Sequence, residues 1–141
     1  MASVPFKLVT PTEVVFEGDA ELVIAVTTEG EEGILPRHAP FLAALRPGVL
    51  RANVLRQTQE GASSRLELAT SEGFMQALPD RVTVLVDEAV RFEDVVVAEA
   101  RQELSGATER QKAAGADSAL YAREQAIIEF ANAKLRLTGH K

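Results

Sequence analysis

At 141 residues, 46% hydrophobic and 26% charged, the chain has the length for one good core, or one core with a small appendage, and the composition of an ordinary soluble protein. It contains no cysteine, which excludes disulfides and thiolate metal sites. The net charge of −6 falls entirely on residues 1–88, which hold 7 Lys or Arg against 13 Asp or Glu, while residues 89–141 hold 8 of each; the acidic front repels phosphate backbones and argues against a nucleic-acid partner.

The N-terminus, Met1-Ala2-Ser3-Val4-Pro5, lacks the basic and apolar regions of a signal peptide, and no long apolar run follows. The expectation is a cytoplasmic chain that meets a membrane only through a partner. From Phe6 to Asp87 the texture is that of strands. Phe6-Lys7-Leu8-Val9-Thr10 is closed by Pro11, and Val14-Val15-Phe16 is followed by Glu17-Gly18-Asp19, which reads as a turn. Glu21–Thr27 is rich in strand formers.

Gly30-Glu31-Glu32-Gly33-Ile34-Leu35-Pro36-Arg37-His38-Ala39-Pro40 comes next. Turns usually carry polar residues at the apex, yet this one places Ile34 and Leu35 there. A loop stiffened by Pro36 and Pro40 and tipped with aliphatic side chains reads as a docking surface. Beyond it, Pro47-Gly48 marks a turn, Val49–Arg56 a strand, and Gln57–Ser64 a polar hairpin loop. Arg65–Thr70 begins with charged and apolar residues in alternation, Glu72-Gly73 is a tight break, and Phe74–Leu78 leads through Pro79-Asp80 to Arg81–Asp87. Short strands with turn signals at intervals of about eight to twelve residues point to a sandwich or barrel.

After Asp87 the period changes. Asp94 is placed to cap a helix beginning near Val95, although Val95-Val96-Val97 is a poor helical opening. Gly115 is a candidate C-terminal cap, and Asp117 or Ser118 the next N-cap. A second helix then runs to about Leu137, with Leu120, Ile127, Ala131 and Leu135 on one stripe. The fold class expected is α+β in two parts: an antiparallel β-sandwich over residues 1–88 and a two-helix α-hairpin over 89–141. Twelve Ala between Ala89 and Lys141 stand where larger core side chains are usual, so this hairpin must pack on the sandwich or on another protein, with an anchorage weak enough to permit a detached arrangement.

With these residues in view, the chain resembles the epsilon subunit of the rotary F-type ATP synthase. The resemblance rests on Gly-Glu-x-Gly-Ile-x-Pro-x-His-Ala-Pro and on the following Leu42-x-x-Leu45-x-Pro47-Gly48-x-Leu50-Arg51, with support from Glu72-Gly73-Phe74, Arg81–Asp87 and Ala131–Leu137. It implies a non-catalytic subunit of the central stalk, peripheral on the cytoplasmic face of a bacterial inner membrane. Its partners would be the gamma subunit and the ring of c subunits, and proton flow through the whole complex would drive ATP synthesis. In many members the hairpin also extends into the alpha/beta catalytic head and restrains ATP hydrolysis. By resemblance, Glu31, Glu32, Ile34, Leu35, Pro36, His38 and Leu42 would form the docking interface, and Arg123, Lys134 and Arg136 would make the inhibitory contacts. His38 has a second reading, as a loop histidine bonded to local backbone; the three cations have one as ordinary surface charge balancing Glu124 and Glu129. His140, near the end of the chain, reads as solvated.

The chain also departs from the family. Where some members carry an ATP-binding aliphatic-Asp-x-x-Arg-Ala motif, this one has Val95-Val96-Val97-Ala98-Glu99-Ala100, with Val96 at the Asp position and Glu99 at the Arg position. An anion in place of a phosphate-attracting cation reverses the electrostatics, so no nucleotide and no other cofactor is expected. Arg37 replaces the Gly common between Pro36 and His38. Two rivals to the rotor reading are a small enzyme using His38 with Glu31 or Glu32, and a generic β-sandwich binding module with a helical tail. The first lacks a second histidine nearby and a recognisable nucleophile.

Overall fold

The computed structural model describes residues 2–55 and 63–139. Most of the polar loop expected at Gln57–Ser64, and His140, lie outside the described residues. The strands are β1 (Val4–Val9), β2 (Val14–Thr27), β3 (Gly30–Ile34), β4 (Phe41–Leu45), β5 (Gly48–Leu55), β6 (Ser63–Thr70), β7 (Gly73–Leu78), β8 (Arg81–Val86) and β9 (Ala89–Arg91). A 3₁₀ turn at Phe92–Asp94 leads to α1 (Val97–Ala113) and α2 (Ser118–Leu137).

The strand order is β1-β8-β7-β4-β2-β5-β6-β9, with β3 paired to β2 and β1 also paired to β2, so the sheet closes on itself. All pairings are antiparallel except β1 with β8. Inward-facing Phe6, Leu8, Val23, Ile34, Leu50, Leu68, Met75 and Val84 form one continuous core between the two layers. The alternation of buried and exposed positions in β7 and β8 follows the two-residue period of a strand with one wet face.

Two expectations are corrected. Glu17-Gly18-Asp19 is no turn: β2 runs unbroken for 14 residues, pairing its first half with β1 and its second with β3 and β5. Gly18 instead makes room for the Phe16 ring, whose tip would lie 3.0 Å from an added Cβ, and the Phe16 ring packs on Phe6 at 5.6 Å. The bend comes from the register shift between Ala20 and Leu22 against β5, which lets one strand serve both layers. The second correction concerns the cap of the first helix, whose start falls within a few residues of Asp94 as expected. Asp94 sits in the 3₁₀ turn, Val95 and Val96 stay extended, and α1 opens at Val97 with no side-chain cap, since β-branched residues favour extended backbone.

The rest of the hairpin follows the sequence reading. Gly115 takes φ +57 just beyond α1, and the Asp117 carboxylate accepts from the Leu120 N–H at 3.0 Å to cap α2. α2 lies on the sandwich, where Phe130 and Ala133 meet Ala69, with Val49, Val90 and Leu137 around them.

Candidate functional site

The segment Gly30–Pro40 divides in two. Gly30–Ile34 is β3, hydrogen-bonded to β2, and Ile34 pairs with Val23 and is fully buried in the core. Ile34 is therefore a core residue and not part of an exposed apolar tip: strand parity turns it inward and leaves Leu35 alone outside. Leu35 begins a tight turn in which the His38 N–H donates to the Leu35 carbonyl at 3.2 Å. Arg37 completes that turn at φ +66. The backbone thus keeps the left-handed conformation that glycine adopts freely, and Arg37 bears a Cβ strain of about 1–2 kcal/mol.

His38 is held locally. Its Nδ1 lies 2.6 Å from the Ala39 carbonyl and its ring 5.8 Å from that of Phe41. Glu31 is held too: Arg51 Nη2 donates to it at 3.0 Å across the sheet. Glu32 is half-buried on β3 opposite Ala25. Pro36 is half-buried in the turn.

Leu42 is the most exposed large apolar side chain described, at 71%. It opens a surface that sequence reasoning did not single out. Register aligns Ala44 on β4 with Phe74 on β7, Phe74 with Leu85 on β8, and Leu85 with Val9 on β1. Phe74 is 58% and Leu85 53% exposed, so the wet face of the β4-β7-β8 layer carries an apolar row level with Ala44, two residues along β4 from Leu42, whose own cross-strand neighbour is Gln76. A signal was available: with Met75 and Ala77 inward, Phe74 must point out, and with Val84 and Val86 inward, so must Leu85. Gly73 lets this layer close, because a Cβ there would fall 1.8 Å from the Leu85 carbonyl oxygen.

The cations of α2 fall into two kinds. Arg123 and Arg136 are exposed. Lys134 is mostly enclosed, donating to Glu103 on α1 at 3.0 Å with its ammonium 4.4 Å from the centre of the Phe130 ring. Glu129 is tied to the sandwich by Arg46, whose Nε and Nη2 donate to its two carboxylate oxygens at 3.2 and 2.9 Å. Burial pushes the Glu129 carboxyl up, but hydrogen bonds from Arg46 and Gln125 and the Arg46 charge outweigh it and hold the group below its ordinary value. The hydrogen bond and charge of Glu129 raise Arg46 in return.

Val96 is exposed at the unaided start of α1 and Glu99 is exposed in its first turn. Among the described residues, no three His, Asp or Glu converge as a metal site would need, and no helix is long and apolar enough to cross a membrane.

Residues 3–92 match the family model of the ATP synthase delta/epsilon chain β-sandwich domain. An ATP synthase epsilon chain from Chromobacterium violaceum is 35% identical over 136 residues, spanning 96% of this chain and 93% of that one. One from Halorhodospira halophila is 38% identical over 136 residues, spanning 96% and 92%. Among solved structures, a chain in the Euglena gracilis mitochondrial ATP synthase, described as OSCP/F1/c-ring, superposes with a TM-score of 0.78 at 22% identity, over 99% of this chain and 83% of that one. At that identity the likeness shows the fold.

Proposed function

The chain belongs to the epsilon-chain family of ATP synthase, and on that premise we propose that it is a non-catalytic subunit of the central stalk, part of the rotor that couples proton flow to ATP synthesis. The observation that carries this reading is the exposed apolar face of the β4-β7-β8 layer, where Leu42 follows the turn at Leu35–Pro40 and Phe74 and Leu85 pair across β7 and β8 further along. An isolated domain has no use for three large apolar side chains in water on one sheet face, whereas a subunit that must turn with its neighbours has.

In this reading the band and the turn dock on the gamma subunit, with His38 and Leu42 facing it. Leu35 and Pro36 meet the polar loops of the c-subunit ring, and Glu31 and Glu32 supply charge there. Because Glu31 already accepts from Arg51, its contact with a partner cation is shared with that bond. The membrane is reached only through the complex, on the cytoplasmic face of a bacterial inner membrane. Sandwich and hairpin act as separate domains, with the division after β9, since Ala89–Arg91 pairs with β6 and continues the sheet.

Restraint of ATP hydrolysis belongs to the hairpin. Arg123 and Arg136 are open to carboxylates of the alpha/beta head, while Lys134 becomes so once its bond to Glu103 opens. Val96 and Glu99 offer nothing to a phosphate, so titration of the purified chain with ATP is expected to show no heat of binding.

The central test is reconstitution. Membrane vesicles stripped of this subunit are refilled with the native chain or with Leu42→Asp/Phe74→Asp, and proton-driven ATP synthesis is measured. The native chain is expected to restore synthesis and the variant to leave it near the stripped level, despite an intact sandwich by circular dichroism. Full restoration by the variant overturns the docking assignment.

A further inference from the structure

A groove of about 730 Å³ runs between the sandwich and α2. One wall is Ala44, Phe74 and Leu85, and the other is Tyr121, Ala122 and Ala126. The two walls differ in how they are held. The C-terminal half of α2 is packed down through Phe130, Ala133 and Leu137. Toward its N-terminus Ser118, Ala119, Tyr121, Ala122 and Arg123 are exposed, and just past its midpoint Glu129 accepts from Arg46 of the sandwich, with Gln125 donating to the same carboxylate at 3.1 Å. Tyr121, Phe74 and Leu85 are each half-exposed or more. Apolar surfaces that face one another across an open space gain free energy when a partner fills it.

We propose that α2 is the second wall of the rotor-docking groove, so that the partner seated against Phe74 and Leu85 also holds the hairpin against the sandwich. This rests on the docking reading above and adds the hairpin to it. The occupant is a segment of the gamma subunit with an apolar stripe edged by Lys or Arg. The apolar stripe answers the walls, where Phe74, Leu85 and Tyr121 are exposed. The cationic edge answers the rim. Glu72 and Asp87 line the groove and enter no ion pair among the described residues, while the cation Arg46 is already engaged by Glu129. The unmatched charge of the rim is therefore negative.

Coupling follows by linkage. A partner that touches both walls binds more tightly when α2 is down, and by the same factor its presence keeps α2 down. Arg46 and Glu129 then set how much of that affinity is available, because they hold the second wall in place before the partner arrives.

The test titrates the full-length chain with a head–gamma subcomplex lacking it, and follows amide exchange in α2. Phe74→Asp is expected to weaken binding at least about a hundredfold, Tyr121→Asp about tenfold, and Glu129→Gln about threefold. Exchanging the charges, Arg46→Glu with Glu129→Arg, is expected to regain what either single change loses. Partner addition should slow exchange of the amides between Ser118 and Glu129. If Phe74→Asp weakens binding while Tyr121→Asp and the α2 amides are indifferent to the partner, the groove proposal is overturned and the docking reading stands. Unchanged binding by Phe74→Asp overturns the docking reading itself. A dimer of the isolated chain that Tyr121→Asp dissociates would make a second copy the occupant, and would likewise overturn the proposal.

Discussion

Inside the sandwich, Phe6, Leu8, Ile34, Leu50, Leu68 and Met75 are fully enclosed by one another. In the hairpin, besides Phe130 and Ala133 on the sandwich, the enclosed apolar residues are Ala100, Ala107, Ala131 and a single large aliphatic, Leu135, and the helices are also joined by Arg110 to Glu124, Gln111 to Gln125 and Lys134 to Glu103. Burying a large aliphatic or aromatic side chain contributes roughly 1.5–3 kcal/mol each, and only a complete shell of neighbours realises it. Alanines contribute little, and ion pairs exchange readily for water at the surface. The sandwich therefore keeps one arrangement, while the hairpin holds a shape that can be undone without exposing much oil to water. That difference suits a part that must grip permanently at one end and change contacts at the other.

Four changes test this contrast, and the first should have the largest effect. Leu68→Ala removes a fully buried side chain and is expected to lower unfolding free energy by about 2–5 kcal/mol in denaturant titration, with hairpin and sandwich lost together. A loss under about 1 kcal/mol would mean that the core repacks as easily as the hairpin does. Arg110→Ala leaves the Glu124 carboxylate buried without the Arg110 Nε, which donates to both of its oxygens at 3.0 Å. It is expected to cost the hairpin about 2 kcal/mol, read as lost helical circular dichroism, while the sandwich melts at its native temperature. A single cooperative shift of both parts would contradict their independence.

The third handle is pH. Glu129 titrates below its ordinary value when the hairpin is docked, so its contribution is present above the unfolded carboxylate range of about 4.3 and fades as pH falls through the lower docked value. Because Arg46 is half in water, the effect should stay under about 1 kcal/mol. Amide protection in α2, taken relative to the intrinsic exchange rate at each pH, is expected to fall in acid in the native chain, and to show a flatter profile in Glu129→Gln. An identical profile in the two would remove the Arg46–Glu129 bond from the hairpin's anchorage. The smallest change is Arg37→Gly, which relieves the φ +66 strain but frees the unfolded chain; a net gain of about 0.5 kcal/mol is expected from thermal melting. A net loss would show that the Arg37 side chain makes up for its strained backbone.

Much of this was legible in the sequence for identifiable reasons. Strand texture up to Asp87, the break at Gly115 and the cap at Asp117 are local signals, and local signals decided them. The misreadings came where a neighbour overruled the local residue. Gly18 carries a turn's composition but lies within a strand, because β1 pairs with β2 across it and the Phe16 ring needs the space. Ile34 sits beside Leu35 in a proline-bounded loop, yet its pairing with Val23 draws it into the core. Phe74 and Leu85 were within reach through strand parity, but their alignment into one band depends on which strands become neighbours, and no single segment encodes that. Arg46 and Glu129 are 83 residues apart and meet only once α2 has folded back.

The unbroken run of β2 has one more consequence. At about 3.3 Å per residue, its 14 residues have a contour of roughly 45 Å, which runs around the bend at Ala20–Leu22 from the pairing with β1 to the turn before Gly30. A push at the Gly30 end is carried along a single extended backbone and resisted sideways by ladders of hydrogen bonds to β1, β3 and β5, all loaded in shear together. Had Gly18 made the turn its neighbours suggest, the chain would reverse in the middle of that path, and no single strand would join the ladder of β1 to those of β3 and β5.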